Sequence, residues 1–334
     1  MAVKTLVAAE KVGLSAARLR TMYEHVLLAR LLDERMWILN RQGKAPFVIS
    51  CQGHEVAQVA VAMALDPGRD WLVPYYRDLA VTLVMGMTPK DHLLSCLGRA
   101  DDPNSGSRQM PSHFGCRRLN IVTTGSPVAT QILHACGVAL AHRMRGEDAV
   151  TFTAVGEGGT SEGDFYEGLN FASVHRLPVV FMVQNNGYAI SVPWSMQMPT
   201  PDAADRASAF SIPAVTLDGN DPIACYAAAV EAVARARRGD GPTLLEVKVH
   251  RLTPHSSDDN DRVYRPAEEI EAMKAHDCLN VMRELLEAAE ILTSGDIEEM
   301  RAVALAEIDR AETEAQAAPM PEPQTALLHV YGEA

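Results

Sequence analysis

Apolar positions along this chain change period several times, and the changes mark out its elements. From Ser15 to Gln42, Leu19, Tyr23, Val26, Leu27, Leu31 and Met36 fall broadly on one side of a helix, with arginines between them. Gly43 to Gly53 breaks the pattern. His54 to Leu65 is rich in alanine and valine and reads as a buried helix, opened by Gln52-Gly53-His54-Glu55. His54 there is a candidate ligand contact, although a histidine at a helix start is more often structural. A short apolar strand is expected over Trp71 to Tyr76. Thr88 caps a helix whose first position is Pro89. Asp101 to Met110 is a polar loop rich in turn formers, leading to Gln109-Met110-Pro111-Ser112-His113-Phe114-Gly115. Gly125-Ser126-Pro127 reads as the start of a long helix reaching about Arg145, with Ser126 a possible cap.

The period then switches from helix to strand and back. Val150 to Val155 is an apolar, β-branched run closed by a tight turn, Gly156-Glu157-Gly158-Gly159. Asp164 to Ala172 is helical. Pro178 opens a second apolar run, Val179 to Val183, which ends in Gln184-Asn185-Asn186-Gly187-Tyr188. This is a strand–helix–strand unit with polar groups after both strands. Further on, Thr200 to Phe210 is a short helix and Val215 to Leu217 a strand. Asp221 to Arg237 is an alanine-rich helix and Thr243 to His250 an alternating strand. Four or five parallel strands interleaved with helices predict a doubly wound α/β sheet. The last third is helical over Ala267 to Ala275, Cys278 to Ala288 and Ile297 to about Gln316, and no internal repeat is present. The expected organisation is an N-terminal helical extension over 1–45, an α/β domain over 46–266 and a C-terminal helical extension and tail over 267–334.

Candidate chemistry concentrates in the strand–helix–strand unit. Ligands of parallel sheets sit beyond the carboxyl ends of the strands. Glu157 and Asn186 each lie just past such an end. A carboxylate and an amide oxygen are hard ligands, suited to a Mg²⁺ that keeps its other positions for phosphate and water. Backbone N–H groups at Gly158 and Gly159 can cradle a diphosphate near the helix start. The bland alternative is an ordinary glycine turn and a polar loop. A dinucleotide fingerprint is disfavoured, because Ser161 stands where its third glycine belongs, and no Gly-Lys-Ser/Thr of a P-loop occurs.

Composition narrows the classes. The chain has 334 residues, 47% hydrophobic and 22% charged, ordinary for a soluble globular protein. A net charge of −13 disfavours nucleic-acid binding and anionic membranes, so an anionic ligand needs a metal or local positive charge. Cys51, Cys96, Cys116, Cys136, Cys225 and Cys278 are scattered, which argues against structural zinc and a disulfide framework. A reducing, cytoplasmic setting is expected. No apolar run reaches membrane-spanning length and no secretory signal core is visible.

Gly156-Glu157-Gly158 through Asn185-Asn186 resembles the thiamine diphosphate motif, usually Gly-Asp-Gly ending in Asn-Asn. The longer stretch GEGGTSEGDFYEGLNFASVHRLPVVFMVQNNGYAIS is similar to the α subunit of the decarboxylating component of 2-oxo acid dehydrogenase complexes. It looks most like the branched-chain type, in which Glu commonly replaces that Asp. The resemblance runs roughly from residue 40 to 266.

The resemblance implies thiamine diphosphate and Mg²⁺, the metal held by Glu157, the Asn186 side-chain oxygen and the Tyr188 carbonyl. It places Tyr76, Arg77, Ser126, Val128, Gly156, Gly158 and Gly159 at the cofactor, Val128 forcing its two rings into a bent conformation. Arg251 would meet phosphate. Arg251 to Asp259 resembles a flexible active-site loop that folds over the cofactor and carries His255 to the reacting carbon, where a histidine can move a proton. A disordered polar loop is the alternative. Ser256 matches a serine that a dedicated kinase modifies in some animal members. Three departures stand out: Glu157 for Asp, Gln184 where branched-chain members carry arginine near the diphosphate, and Gly125 where some carry serine at a monovalent-cation site. The Gly125 carbonyl leaves K⁺ open.

Implied partners are a β subunit in an α₂β₂ assembly, a lipoyl-bearing acyltransferase and a 2-oxo acid. The alanine-rich helices from Pro127 to His142 and Pro222 to Ala236 are candidates for the subunit surface. Pyruvate or acetoin dehydrogenase α subunits are the near alternatives. A noncatalytic partner-binding protein of the same fold is the distant one.

Overall fold

The computed structural model describes residues 7 and 9–331. Helix α1 spans Ala16–Arg41, with Ser15 accepting from the Arg18 N–H as its cap, and α2 spans Glu55–Ala62. Strand β1 is only Trp71–Val73. It stops earlier than its apolar pattern suggests because Pro74 has no N–H to continue the ladder. The Tyr75 N–H instead donates to Asp78 Oδ2 at 2.9 Å. Short helices α3 (Leu79–Val84) and α4 (Pro89–Cys96) follow, the latter with a full Thr88–Asp91 capping box. Helix α5 spans Thr130–Arg145. It begins later than expected, because Ala129 sits in the left-handed region at φ 70 and breaks the helical path. Ser126 is therefore not its cap.

Strand β2 (Thr151–Gly156), helix α6 (Gly163–Val174) and strand β3 (Val179–Asn185) form the central unit. A two-stranded ribbon of β4 (Tyr188–Ala189) and β5 (Val192–Pro193) follows. The helix expected after Thr200 is 3-10 in form, over Ala203–Phe210. Strand β6 (Ala214–Asp218), helix α7 (Pro222–Arg237) and strand β7 (Thr243–Lys248) complete the sheet. Helices α8 (Ala267–Ala275), α9 (Cys278–Ala288) and α10 (Ser294–Ala317) end the chain. The last gains a turn over its apolar pattern from a Thr293–Asp296 capping box.

The main sheet is five-stranded and wholly parallel, in the order β1-β2-β3-β7-β6. Its central strands are buried on both faces, as parallel sheets are. Phe152, Ala154, Val180, Met182, Leu245 and Val247 join one core with α1, α2, α7 and α10. Val155, Val179, Phe181, Val183 and Leu244 join the other with α5 and α6. The alternation follows from the period of two along each strand. Helix α7 buries Cys225, Tyr226, Ala229, Ala232, Val233 and Ala236, and α5 buries Ile132, Ala135, Cys136 and Ala139. These faces pack in this chain's own cores, and the outer faces, with His134 and Gly137 on α5 and Val230 on α7, stay exposed. Among the described residues, no helix is long and apolar enough to cross a membrane.

A buried ion network fastens the terminal helices to the α/β body. Arg30 on α1 donates to Glu55 at 2.5 Å and to both Asp277 oxygens at 2.7 and 2.8 Å. Glu55 Oε2 accepts from the Gly53 N–H at 2.7 Å. Asp33, fully buried, accepts from Ser50 Oγ, the Cys51 N–H and Gln52 Nε2. Loop 50–54 is held from three sides as a result. Removing one partner of a buried pair strands the other charge. Arg30→Ala leaves Glu55 buried without its cationic partner and is therefore expected to lower unfolding stability by about 3–5 kcal/mol, read by urea denaturation; a loss under about 1 kcal/mol would show that the pair is not held there against solvent.

Candidate active site

The carboxyl ends of β2 and β3 lie side by side, Gly156 opposite Gln184. Past the first, Glu157 opens a short 3-10 turn, Glu157–Ser161. Past the second comes Asn186. The Asn186 N–H donates to Glu157 Oε2 at 3.2 Å. Glu157 is 1% exposed, burial raises its pKa, and its Oε1 has no hydrogen-bond partner. Asn186 Oδ1 accepts from the Tyr188 N–H at 3.2 Å, and its Nδ2 lies 3.3 Å from His54 Nε2. Asn185 points elsewhere: it donates to Glu246 and accepts from the Gly187 N–H, fixing the turn that presents Asn186. The glycines are needed for close approach. A Cβ on Gly158 would stand 2.5 Å from Ala189 Cβ, and one on Gly159 would stand 2.7 Å from Val128.

These groups line a cavity of about 390 Å³. Tyr76, Arg77, Ser126, Val128, Gly156, Glu157, Gly158, Gly159, Asn186, Tyr188 and His255 all contribute to its wall. Of the cofactor, metal and catalytic residues implied by the resemblance, Arg251 alone lies outside the wall; His54, the candidate ligand contact, is buried behind it, 3.3 Å from Asn186 Nδ2. Arg251 is buried just behind, donating to the Ile190 carbonyl at 2.9 Å and to Tyr264 Oη at 2.8 Å. Phe47, Ile49, Tyr75, Met110, His113, Glu162, Ala189 and Ile190 complete the wall. Most of these sit on loops whose pattern carries no periodic signal.

The electrostatics of the wall are unbalanced. Arg77 is 1% exposed, not a surface residue, and is held by the Ser50 carbonyl at 2.5 Å and the His255 carbonyl at 3.3 Å. Its Nε is without a partner, as are Nε and Nη1 of Arg251. Neither guanidinium pairs with a carboxylate. Burial, and then Arg77, lower the pKa of Arg251. Two buried cations with free donors, beside a carboxylate oxygen that also lacks a partner, fit an anion and a divalent cation bound together. The residues thus fit a metal-bound diphosphate.

His255 faces the same space. Its ring meets Tyr76 edge-on at 6.1 Å, and Nδ1 lies 3.4 Å from Arg77 Nη2. Burial first, then Arg77 and Arg251, bring its pKa down to about 4. It is neutral at pH 7 here, not poised near it. The His255 N–H donates to Asp259, which also accepts from Tyr264 Oη. Loop 251–265 is folded down by backbone bonds from Leu252 to Gln52 and from Ser257 to Val48. Ser256 is buried, its Oγ accepting from the Asp258 N–H.

Gln184 does not reach the cavity. It is fully buried, donating to Asp78 Oδ1 at 2.5 Å and accepting from Gln58 Nε2 at 2.8 Å. The alternation of β3 sends it to the α2 face with Val180 and Met182. Its expected effect on the phosphate charge is thus replaced by an effect on Asp78, which has no direct cationic partner.

The fold and the wall define a doubly wound α/β enzyme domain whose cavity suits an anionic, metal-bound ligand at the strand ends. Residues 23–324 match the family described as the dehydrogenase E1 component. The chain is 50% identical over 324 residues to the 2-oxoisovalerate dehydrogenase subunit alpha of Bacillus subtilis, covering 97% of this chain and 98% of that one. It is 43% identical over 253 residues to the 3-methyl-2-oxobutanoate dehydrogenase subunit alpha of Mycobacterium tuberculosis, covering 76% and 66%. It is 35% identical over 306 residues to the pyruvate dehydrogenase E1 component subunit alpha of Staphylococcus epidermidis, covering 91% and 78%. The chain belongs to the dehydrogenase E1 component family.

Asp78 gives a pH signature. Burial pushes its carboxyl up to about 7, and that of Asp33 up to about 6. A raised folded-state pKa means the folded chain binds the proton more tightly. The linked stability is full below the unfolded pKa and is lost as pH rises through the folded one. Asp78 works against the buried and half-buried histidines: His25, His54, His92, His250 and His255 all have pKa values lowered by burial, so their linked stability grows as pH rises toward neutrality. The Asp78 contribution is therefore read as a difference: the Tm of wild type relative to that of Asp78→Asn should fall as pH rises from about 4 to about 7. A difference that stays constant with pH would mean that Asp78 is ionised throughout.

Proposed function

We propose that this chain is the α subunit of a branched-chain 2-oxo acid dehydrogenase that works with thiamine diphosphate and Mg²⁺. The observation that carries the reading is the pair of buried, carboxylate-free guanidinium groups, Arg77 and Arg251, beside the unpartnered Glu157 oxygen. Similarity along nearly the whole chain to a 2-oxoisovalerate dehydrogenase subunit favours a branched-chain substrate over pyruvate, whose relative matches at 35%.

Glu157, Asn186 Oδ1 and the Tyr188 carbonyl would hold the metal. Arg77 and Arg251 would neutralise the diphosphate, with the Gly158 and Gly159 N–H groups along it. Ser126, Val128, Tyr76 and Gly156 would shape the cofactor's bed. When bound, the thiazolium ring supplies the electron sink for loss of carbon dioxide from a 2-oxo acid. His255 offers a ring nitrogen as donor or acceptor to the substrate. Transfer of the acyl group to a lipoyl-bearing acyltransferase completes the reading, with the cytoplasm as its setting.

A second polypeptide belongs to the proposal. The cofactor's aminopyrimidine needs a carboxylate, which the family carries on a separate domain of similar size. Among the described residues the strands form one five-stranded sheet and a two-stranded ribbon, leaving no second α/β sheet to carry it. A β subunit, in an α₂β₂ assembly, would supply it. Purified alone with thiamine diphosphate, Mg²⁺ and 3-methyl-2-oxobutanoate, the chain should give no turnover with an artificial electron acceptor. With the β subunit, kcat/KM for that acid should exceed the value for pyruvate. Turnover by the single chain would refute the two-chain reading, and a preference for pyruvate would refute the substrate. Separately, Glu157→Ala should abolish Mg²⁺-dependent cofactor binding measured by calorimetry, and an unchanged affinity would remove the metal assignment.

A further inference from the structure

Segment 109–115 has no part in the reading above, yet it lines the cavity through Met110 and His113. His113 is 6% exposed. Its Nδ1 faces two backbone carbonyls, 2.9 Å from that of Met110 and 3.2 Å from that of Pro111. A ring nitrogen placed against carbonyl oxygens must carry the proton, since neither oxygen can donate. In the neutral ring Nε2 is then an acceptor, and it lies 2.5 Å from Ser126 Oγ. The Ser126 hydroxyl therefore donates to His113. Toward the cavity Ser126 has only lone pairs left to offer.

The backbone is set up to hold this pair. Ser112, just before His113, has φ 66, and Ala129, closing the Ser126 segment, has φ 70. Residues with a Cβ rarely adopt such angles, and where they do the strain gathers at functional sites. The segment after His113 is pinned as well. The Gly115 N–H donates to Asn104 Oδ1 at 2.9 Å, and the Asn104 amide donates to Asp102 at 2.7 Å. Asp102 also accepts from the Ser107 N–H at 3.0 Å. The polar loop before His113 is thus a scaffold for the pair.

Resting on the cofactor reading of Ser126, we propose that His113 is a positioning residue that takes the Ser126 hydroxyl hydrogen and turns Ser126 into a pure acceptor toward the cavity. The ligand group read at that point then carries an N–H or O–H; a bare phosphate or carboxylate oxygen is rejected there and directed to the arginines. The simpler account is that His113 only packs its loop.

The test compares wild type with His113→Gln, His113→Asn, His113→Phe, Ser126→Ala and the double variant His113→Phe/Ser126→Ala. Glutamine places a polar atom near the position of Nε2, whereas asparagine reaches only to that of Nδ1. In the assembly with the β subunit, His113→Phe and His113→Asn should weaken Mg²⁺–thiamine diphosphate affinity about tenfold, the scale of one hydrogen bond. His113→Gln should recover most of it. The double variant should bind no more weakly than Ser126→Ala alone, because the histidine acts through the serine. Additive losses, or glutamine as poor as asparagine, would overturn the proposal. A second readout needs no ligand. In ¹⁵N-histidine spectra one ring should be the Nδ1–H tautomer, with an Nε2 signal that moves in Ser126→Ala. A signal that stays put would also overturn it. Should the wild-type assembly bind no thiamine diphosphate, the functional reading falls, while the spectra still decide whether His113 holds Ser126.

Discussion

Two guanidinium groups buried without carboxylate partners are the constraint to which the rest of the site answers. Arg77 and Arg251 are each 1% exposed, and their hydrogen bonds go to carbonyls and a tyrosine hydroxyl, which carry no charge. A chain of net charge −13 has carboxylates to spare. Two nearby ones are otherwise engaged, Asp259 with His255 and Tyr264 and Asp78 with Tyr75 and Gln184, and Glu162 on the wall is exposed to solvent. Glu157 remains, with one oxygen unused. Burying charge in this way is unfavourable unless a counter-charge arrives. An anion bound there, as proposed, would return the stability that these unpaired charges cost.

The helices outside the sheet belong to the same argument. Ser50, whose carbonyl holds Arg77, is fixed through its hydroxyl by Asp33 on α1. Arg30, on the same helix, reaches Glu55 at the start of α2 and Asp277, which caps α9. Tyr188 meets Glu269 on α8 through its hydroxyl, and its ring is approached by the guanidinium groups of Arg251 at 5.8 Å and Arg265 at 5.4 Å. Rigid support of this kind keeps catalytic groups within fractions of an ångström of a working arrangement. The terminal helices therefore set the positions of groups that the sheet alone would leave on loops.

Much of this is visible in the sequence, and the reasons for the rest are physical. The central unit is legible because strand, turn and strand impose periods on the letters, and Glu157 and Asn186 follow those strands directly. Helices α8 and α9 match their apolar patterns to the residue. The start of α5 is not legible, because the residue that breaks it is alanine, which carries no turn signal. Nor is the fate of Gln184: its effect depends on which face of β3 it takes, and the resemblance pointed to the wrong one. Phe47 and His113 are contributed by loops far from the motif, so only the folded chain brings them to the cavity. His255 lies on the cavity wall, and its pKa near 4 comes first from burial and then from two arginines remote in sequence.

The surroundings of the cavity argue that the site is half of something larger. Val128 is 41% exposed, Ile190 55%, and Val192 and Met196 on the following ribbon and turn 41% and 77%. Two of these line the cavity itself. Single exposed apolar residues need no explanation, but several in neighbouring segments around a binding cavity do. Water reaching the arginines would weaken every interaction they make with an anion, since Coulomb attraction falls as the effective dielectric rises. A covering apolar surface would remove that water and strengthen the hold of Arg77 and Arg251 in one step. In the proposed assembly, closure by another chain and tight binding of the anion would then be one event, seen from the surface and from the charges.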